Sequence, residues 1–175
     1  MRAASALLAL LLMVAALSAC GTGSTSTAAS SAAAGGATST TSSTHFAKTK
    51  FVLHAGLAFG AFHRYIYKPY KEGKFSGGLL RHKLTTLKAA LAGAFAYHEI
   101  KLALQDARSS KILSKALAPL LSLQTRLRGL VSGLKSGNVD GAAITSANAD
   151  AGATSKAGAQ AGQPVTDQPT PQFGG

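Results

Sequence analysis

Between Phe46 and Leu134 the apolar residues recur at steps of three and four, the period that lines one face of an α-helix. The first such segment runs from about Phe46 to Tyr67. Phe51, Ala55, Ala58, Phe62 and Tyr65 share a face, while Val52, Leu53, Leu57 and Phe59 cover much of the remainder. A helix apolar nearly all round belongs either in the middle of a core or in a membrane. The twelve residues from Phe51 to Phe62 would reach about 18 Å at 1.5 Å per residue, against a hydrocarbon layer of about 30 Å. A full span is therefore the weaker reading. Gly56 and Gly60 sit four apart in this helix, a pairing of small residues that lets a neighbour approach closely.

Pro69, Glu72-Gly73 and Ser76-Gly77-Gly78 then mark a turn region. The second segment runs from Leu79 to about Ala107. Leu80, Leu84, Leu87, Leu91, Ala94 and His98 form a narrow seam, with Arg81, Lys88 and Glu99 falling away from it. Ser109 or Ser110 can cap a third segment, which extends to Leu134. Leu113, Ala116, Leu120, Leu123, Leu127, Leu130 and Leu134 keep the same alternation. Pro119 either kinks this helix or begins its second half, and Ser136-Gly137-Asn138 ends it. No stretch alternates apolar and polar residues as a strand would. The expected fold class is all-α: a small three-helix bundle, or a helical hairpin plus one helix, with the seams facing one another.

Both flanks lack this periodicity. Gly21 to Thr44 contains only Gly, Ala, Ser and Thr. Such a segment has too little apolar bulk to offset its own ordering entropy, so a flexible linker is expected, with a reach of roughly 27 Å. From Ser136 the chain is again dominated by small and polar residues; Ala142 to Asp150 could form at most a transient helical turn. Pro164, Pro169 and Pro171 exclude helix near the end, and residues 136–175 are expected to be a disordered tail. The folded domain is thus placed at residues 45–135.

Charge is concentrated in that domain. Apart from Arg2 and Lys156, every Lys and Arg lies within it, against only Glu72, Glu99 and Asp106. The stretch His63-Arg64-Tyr65-Ile66-Tyr67-Lys68-Pro69-Tyr70-Lys71-Glu72-Gly73-Lys74-Phe75 interleaves cations with aromatic rings. That pattern can dock on an anionic surface, charge drawing it in and rings settling at the interface. Arg64, Lys68, Lys71, Lys74, Arg81 and Lys83 are the candidate contacts. The plainer alternative is a solvated basic rim whose aromatic residues cover a core edge.

Catalytic and metal chemistry find little footing. Helical metal ligands should lie three or four apart, but His54 and His63 are nine apart, and His82 and His98 sixteen. His98, on the seam, is expected as a core or boundary residue. The three acids are too scattered for a paired-carboxylate site. Ser76 lies in Phe-Ser-Gly-Gly rather than a nucleophile elbow, and no phosphate-cradling loop is present. The expectation is a non-enzymatic protein with no cofactor and no metal site, with a metal-binding protein or metal-dependent enzyme as the weaker alternative.

The N-terminus supplies the sharpest motif. Arg2 precedes the uncharged apolar run Leu7 to Leu17, and Leu17-Ser18-Ala19-Cys20 follows. This is the layout of a secretory signal, and its ending resembles the lipobox of bacterial prolipoproteins. The resemblance implies removal of residues 1–19, thioether lipidation of Cys20, and an N-terminus held to the extracytoplasmic face of the cell membrane. Two acyl chains, at about 0.8 kcal/mol per buried methylene, suffice for stable anchoring. Cys20 is the only cysteine, so no intramolecular disulfide can form and the domain must rely on its core. The expected partners are the membrane itself and an anionic lipid or cell-wall polymer. A different reading makes the chain an accessory subunit packing its first helix against another envelope protein. Nucleic acid would satisfy the same charge, but a lipoprotein outside the cytoplasm rarely meets it.

Overall fold

The computed structural model describes residues 37–76 and 82–173, with side chains from His45 onward. Cys20, its signal segment and Arg81 lie outside the described residues, as does most of the linker. The described residues are helical and contain no strand: α1 (Ala37–Phe62), α2 (Lys68–Lys71), α3 (Lys83–Arg108), α4 (Ser114–Ser136) and α5 (Gly141–Gln160). The all-α expectation holds, with four long helices in place of three. α1 packs on α3, α3 on α4, and α4 on α5.

α1 begins at Ala37, inside the stretch read as linker. Extending a helix that is already nucleated fixes one residue per added hydrogen bond, so a weak sequence can continue a strong one. Phe51, Ala55, Ala58 and Phe62 are buried as the spacing requires, and so are Phe59 and Ile66. Much of the apolar girth of this helix thus lies inside the protein's own core, while Phe46 and Leu53 stay exposed. No helix among the described residues is long and apolar enough to cross a membrane.

Past Phe62 the helix does not stop but widens. His63–Tyr67 forms a π-helical turn, with the Lys68 amide bonded to the His63 carbonyl, and α2 follows directly. Pro69 accounts for the widening. It has no N–H to give the Tyr65 carbonyl, and its ring would collide with that group in regular helix.

α4 buries its entire predicted seam, from Leu113 to Leu134, at 3% exposure or less. Gly137, at φ +80°, closes α4, and the Asn138 amide reaches back to the Gly133 carbonyl at 2.8 Å. Pro119 lies inside α4. Neither serine caps it: the Ser109 hydroxyl donates back to the Gln105 carbonyl at 3.0 Å, and no side chain bonds the helix start.

α3 reverses the expectation. Leu84, Leu87 and Leu91 are 72%, 56% and 47% exposed, and Ala94 and His98 are exposed beside them. The buried face is the opposite one: Thr86, Ala89, Ala90, Ala92, Gly93, Ala96, Ile100, Ala103, Leu104 and Ala107. The cause is steric. α3 sits between α1 and α4, which bring Phe51, Phe59, Phe62, Ile66 and the α4 leucines to the core. Small residues on the middle helix leave room for large ones on both neighbours. At Gly93 even a methyl would lie 2.9 Å from Val131 Cγ2.

The tail expectation is also corrected. α5 occupies Gly141–Gln160, capped by Asp140, whose side chain accepts from the Ala143 amide at 3.0 Å. Ile144, Ala147, Ala151, Thr154 and Gly158 are buried along one face of it. Alanine is the best helix former, and a stripe of small residues can pack closely despite little bulk. The prolines beyond α5 do exclude helix. Residues 163–171 have no regular secondary structure and cross α1 at Gly56 and Gly60. The Gln168 amide donates to the Gly56 carbonyl at 2.9 Å. A Cβ on Gly60 would stand 2.1 Å from the Gln168 carbonyl oxygen. The neighbour admitted by the glycine pair is this C-terminal strap.

Candidate anionic-surface interface

The widened turn and α2 carry most of the residues singled out for charge. Arg64, Lys68, Lys71 and Lys74 are all exposed there, and Lys83 is exposed at the start of α3; Arg81 lies outside the described residues. Arg64 and Lys68 line an open cleft of about 650 Å³ together with His63, Tyr67, Asp167 and Thr170. Lys74 pairs with Glu72 at 2.7 Å, and that hydrogen bond draws the Glu72 carboxyl below the usual carboxylate range.

The rings of this stretch face the other way. Tyr65, Tyr67, Tyr70 and Phe75 are half-buried against the core. Tyr65 meets Phe173 edge-on at 5.1 Å between centroids, and Phe62 stacks on Tyr67 at 6.2 Å. Cations therefore point outward while aromatic residues seal the core edge, so the rings are not free to settle at an interface.

Every acid among the described residues is engaged locally. Asp140 caps α5. Asp150 accepts from Arg126 at 2.6 Å and from Ser122 at 2.8 Å, tying α5 to α4. Asp167 meets His63 Nδ1 at 2.7 Å, fixing the strap to the widened turn, while His63 Nε2 faces Asn148 Oδ1 at 3.1 Å. Glu99 meets His54 Nδ1 at 2.6 Å, and Asp106 Oδ2 stands 3.9 Å from His54 Nε2. Apart from Lys74 and Arg126, no described lysine or arginine forms an ion pair. The surface is thus cationic without internal compensation.

The His54 group could not be read from spacing alone, because its members sit on two helices. Glu99 and Asp106 look scattered along the chain, yet they lie seven apart on α3, two helical turns, and face one histidine of α1. Burial pushes the Asp106 carboxyl up, with His54 and then Lys50 opposing, and its Oδ2 has no hydrogen-bond partner. His63 meets side-chain oxygens through both ring nitrogens and His54 through Nδ1, while His54 Nε2 stands 3.9 Å from Asp106 Oδ2 without a hydrogen bond. Among the described residues no three His, Cys, Asp or Glu side chains are grouped to hold a metal ion.

No protein-family model matches this chain, and no curated protein or solved structure matches it.

Proposed function

We propose that this chain is a non-enzymatic envelope lipoprotein, anchored through lipid on Cys20, whose basic helical domain binds an anionic surface such as phospholipid headgroups or cell-wall polymer. The observation that carries the reading is the division of charge. All described acids are held in caps and local pairs, while nearly all lysines and arginines face solvent without a partner. Such a surface attracts anionic matter at a range set by salt, about 10 Å at 0.1 M. A lipid on Cys20 would hold it close to the anionic membrane, where juxtamembrane cations each contribute about 1 kcal/mol.

The accessory-subunit reading has less support. It needs the apolar face of the first helix to be available, and Phe51, Phe59, Phe62 and Ile66 are each 2% exposed or less, which leaves only Phe46 and Leu53 as large exposed apolar side chains among its described residues. Residues 35–175, one compact unit holding the whole core, are the piece to test. They should bind phosphatidylglycerol vesicles, release them steeply as salt rises, and ignore phosphatidylcholine vesicles. Equal binding to the neutral vesicles, or none to the anionic ones at low salt, would overturn the proposal.

A further inference from the structure

Leu84, Leu87, Leu91 and Ala94 form an exposed apolar stripe along the first half of α3. At 100° per residue they fall within an arc of about 80°, so a flat apolar medium could contact all four at once. Cations border the stripe. Lys83 and Lys88 lie on its own helix, and Arg128 and Lys135 rise across the α3/α4 groove. Two hollows in that groove, of about 250 and 440 Å³, share Lys135; Lys83 also lines the first and Arg128 the second, beside small or apolar residues, Thr86 and Tyr97. No Asp or Glu occurs between Lys83 and His98, and none lines either hollow.

The geometry points to this face as the surface by which the domain lies on an anionic lipid bilayer, the leucines entering the acyl boundary and the bordering cations meeting headgroup phosphates. The inference rests on the anionic-surface reading and narrows it. A hydrated polyanion such as a wall polymer would satisfy the lysines but leave the leucines in water. Lipid is the anionic partner that satisfies both, in the manner of an interfacial amphipathic helix. A second copy of the chain would bury the leucines, yet a two-fold pairing on this face would bring two sets of the same bordering cations together with no acid on the face to offset them.

The test uses residues 35–175, which contain no cysteine, so Leu87→Cys accepts one environment-sensitive fluorophore. On phosphatidylglycerol vesicles that label should shift to the blue, while the same label at Ala153→Cys, exposed on α5, should not. Combined Leu84→Ser, Leu87→Ser and Leu91→Ser should weaken vesicle binding by about tenfold per leucine. Binding to long-chain polyphosphate should be unchanged, and circular dichroism should confirm the fold. If the triple variant bound vesicles as the parent does, or the two labels shifted alike, this face would be wrong and the anionic-surface reading would survive. Sedimentation showing a leucine-dependent dimer without vesicles would also overturn the inference. A parent that bound neither vesicles nor polyphosphate would remove both.

Discussion

α3 and α4 lie side by side and carry nearly the same leucine rhythm, one every three or four residues. α4 turns its seam leucines into the core, where each is 3% exposed or less; α3 turns Leu84, Leu87 and Leu91 to solvent and buries mainly alanines instead. What separates them is position in the bundle. α4 has α3 and α5 as its partners, both lined by small residues, and its leucines fill the space between. α3 lies between the large residues of α1 and those of α4, so its contact face has to be small. Leucine spacing reports that a segment is helical and two-faced. Which face turns inward depends on what the neighbours supply.

The largest expected effect comes from cutting into the α4 seam. Leu127→Ala should lower unfolding free energy by about 2–5 kcal/mol, because it removes a 1%-exposed side chain and leaves a cavity. Urea unfolding of residues 35–175 measures it. A loss below about 1 kcal/mol would show that the α4 seam is loosely packed and that the contrast with α3 is one of degree.

The reverse substitution on α3 probes the same rule from the other side. Ala96 is fully buried. Ala96→Leu inserts methylenes where α3 meets its neighbours and should destabilise by about 1–3 kcal/mol, although leucine and alanine are both good helix formers. A neutral result would mean that the small face of α3 is not what brings the helices together.

Those two helices also show what the sequence made legible. Helix content, the all-α class, the α4 seam and the inward face of α1 follow from local periodicity, which a chain carries in its own spacing. The orientation of α3 does not, because alanines compete with leucines for the core only once α1 and α4 are in place. α5 was hidden for a related reason: Ala147, Ala151 and Gly158 have little bulk to signal burial, though they pack closely. Of the candidate contacts, Arg64, Lys68, Lys71, Lys74 and Lys83 are exposed as charge alone suggests, with Lys74 already paired. The pairing of His54 with Glu99 and Asp106 could not be seen, since it joins residues distant in sequence. The leucine stripe of α3 is visible as a pattern, but its spacing does not say which side it faces.

Close approach without bulk also governs α1, at a smaller scale. Gly60→Ala should help the helix intrinsically by about 1 kcal/mol, but its Cβ would fall 2.1 Å from the Gln168 carbonyl oxygen. The strap should lift while the bundle persists. Hydrogen exchange at the Gln168 amide, which donates to Gly56, should accelerate, with slow exchange retained in α4. Unchanged protection at Gln168 would show that the strap can shift along α1 and keep its hydrogen bond.

Asp106 tests whether the inward side of α3 tolerates charge. Its carboxyl titrates above the ordinary 3.8, chiefly because it is buried. The folded protein therefore holds this proton more tightly than the unfolded chain. The stability it contributes is full below the ordinary value and declines as pH rises through the raised one. Asp106→Asn should remove that decline, so the denaturation midpoint of the variant should gain on the parent as pH rises above the ordinary carboxylate range. If the two midpoints ran parallel with pH, His54 would be compensating the buried charge fully.

The smallest expected effect closes the comparison. Leu84 is 72% exposed, the second residue of a helix whose buried face lies on its other side. Leu84→Ser should change stability by no more than about 0.5 kcal/mol in urea unfolding, the usual range for a surface substitution. Some of that is the lower helix propensity of serine rather than any lost contact. The same residue type, in the same three-and-four spacing, costs about 2–5 kcal/mol when cut from α4. A large loss at Leu84 would mean that the stripe already packs against the protein, and its leucines would then be unavailable to an outside surface. A negligible loss leaves three exposed leucines that the fold does not need, and the vesicle measurements then ask what does.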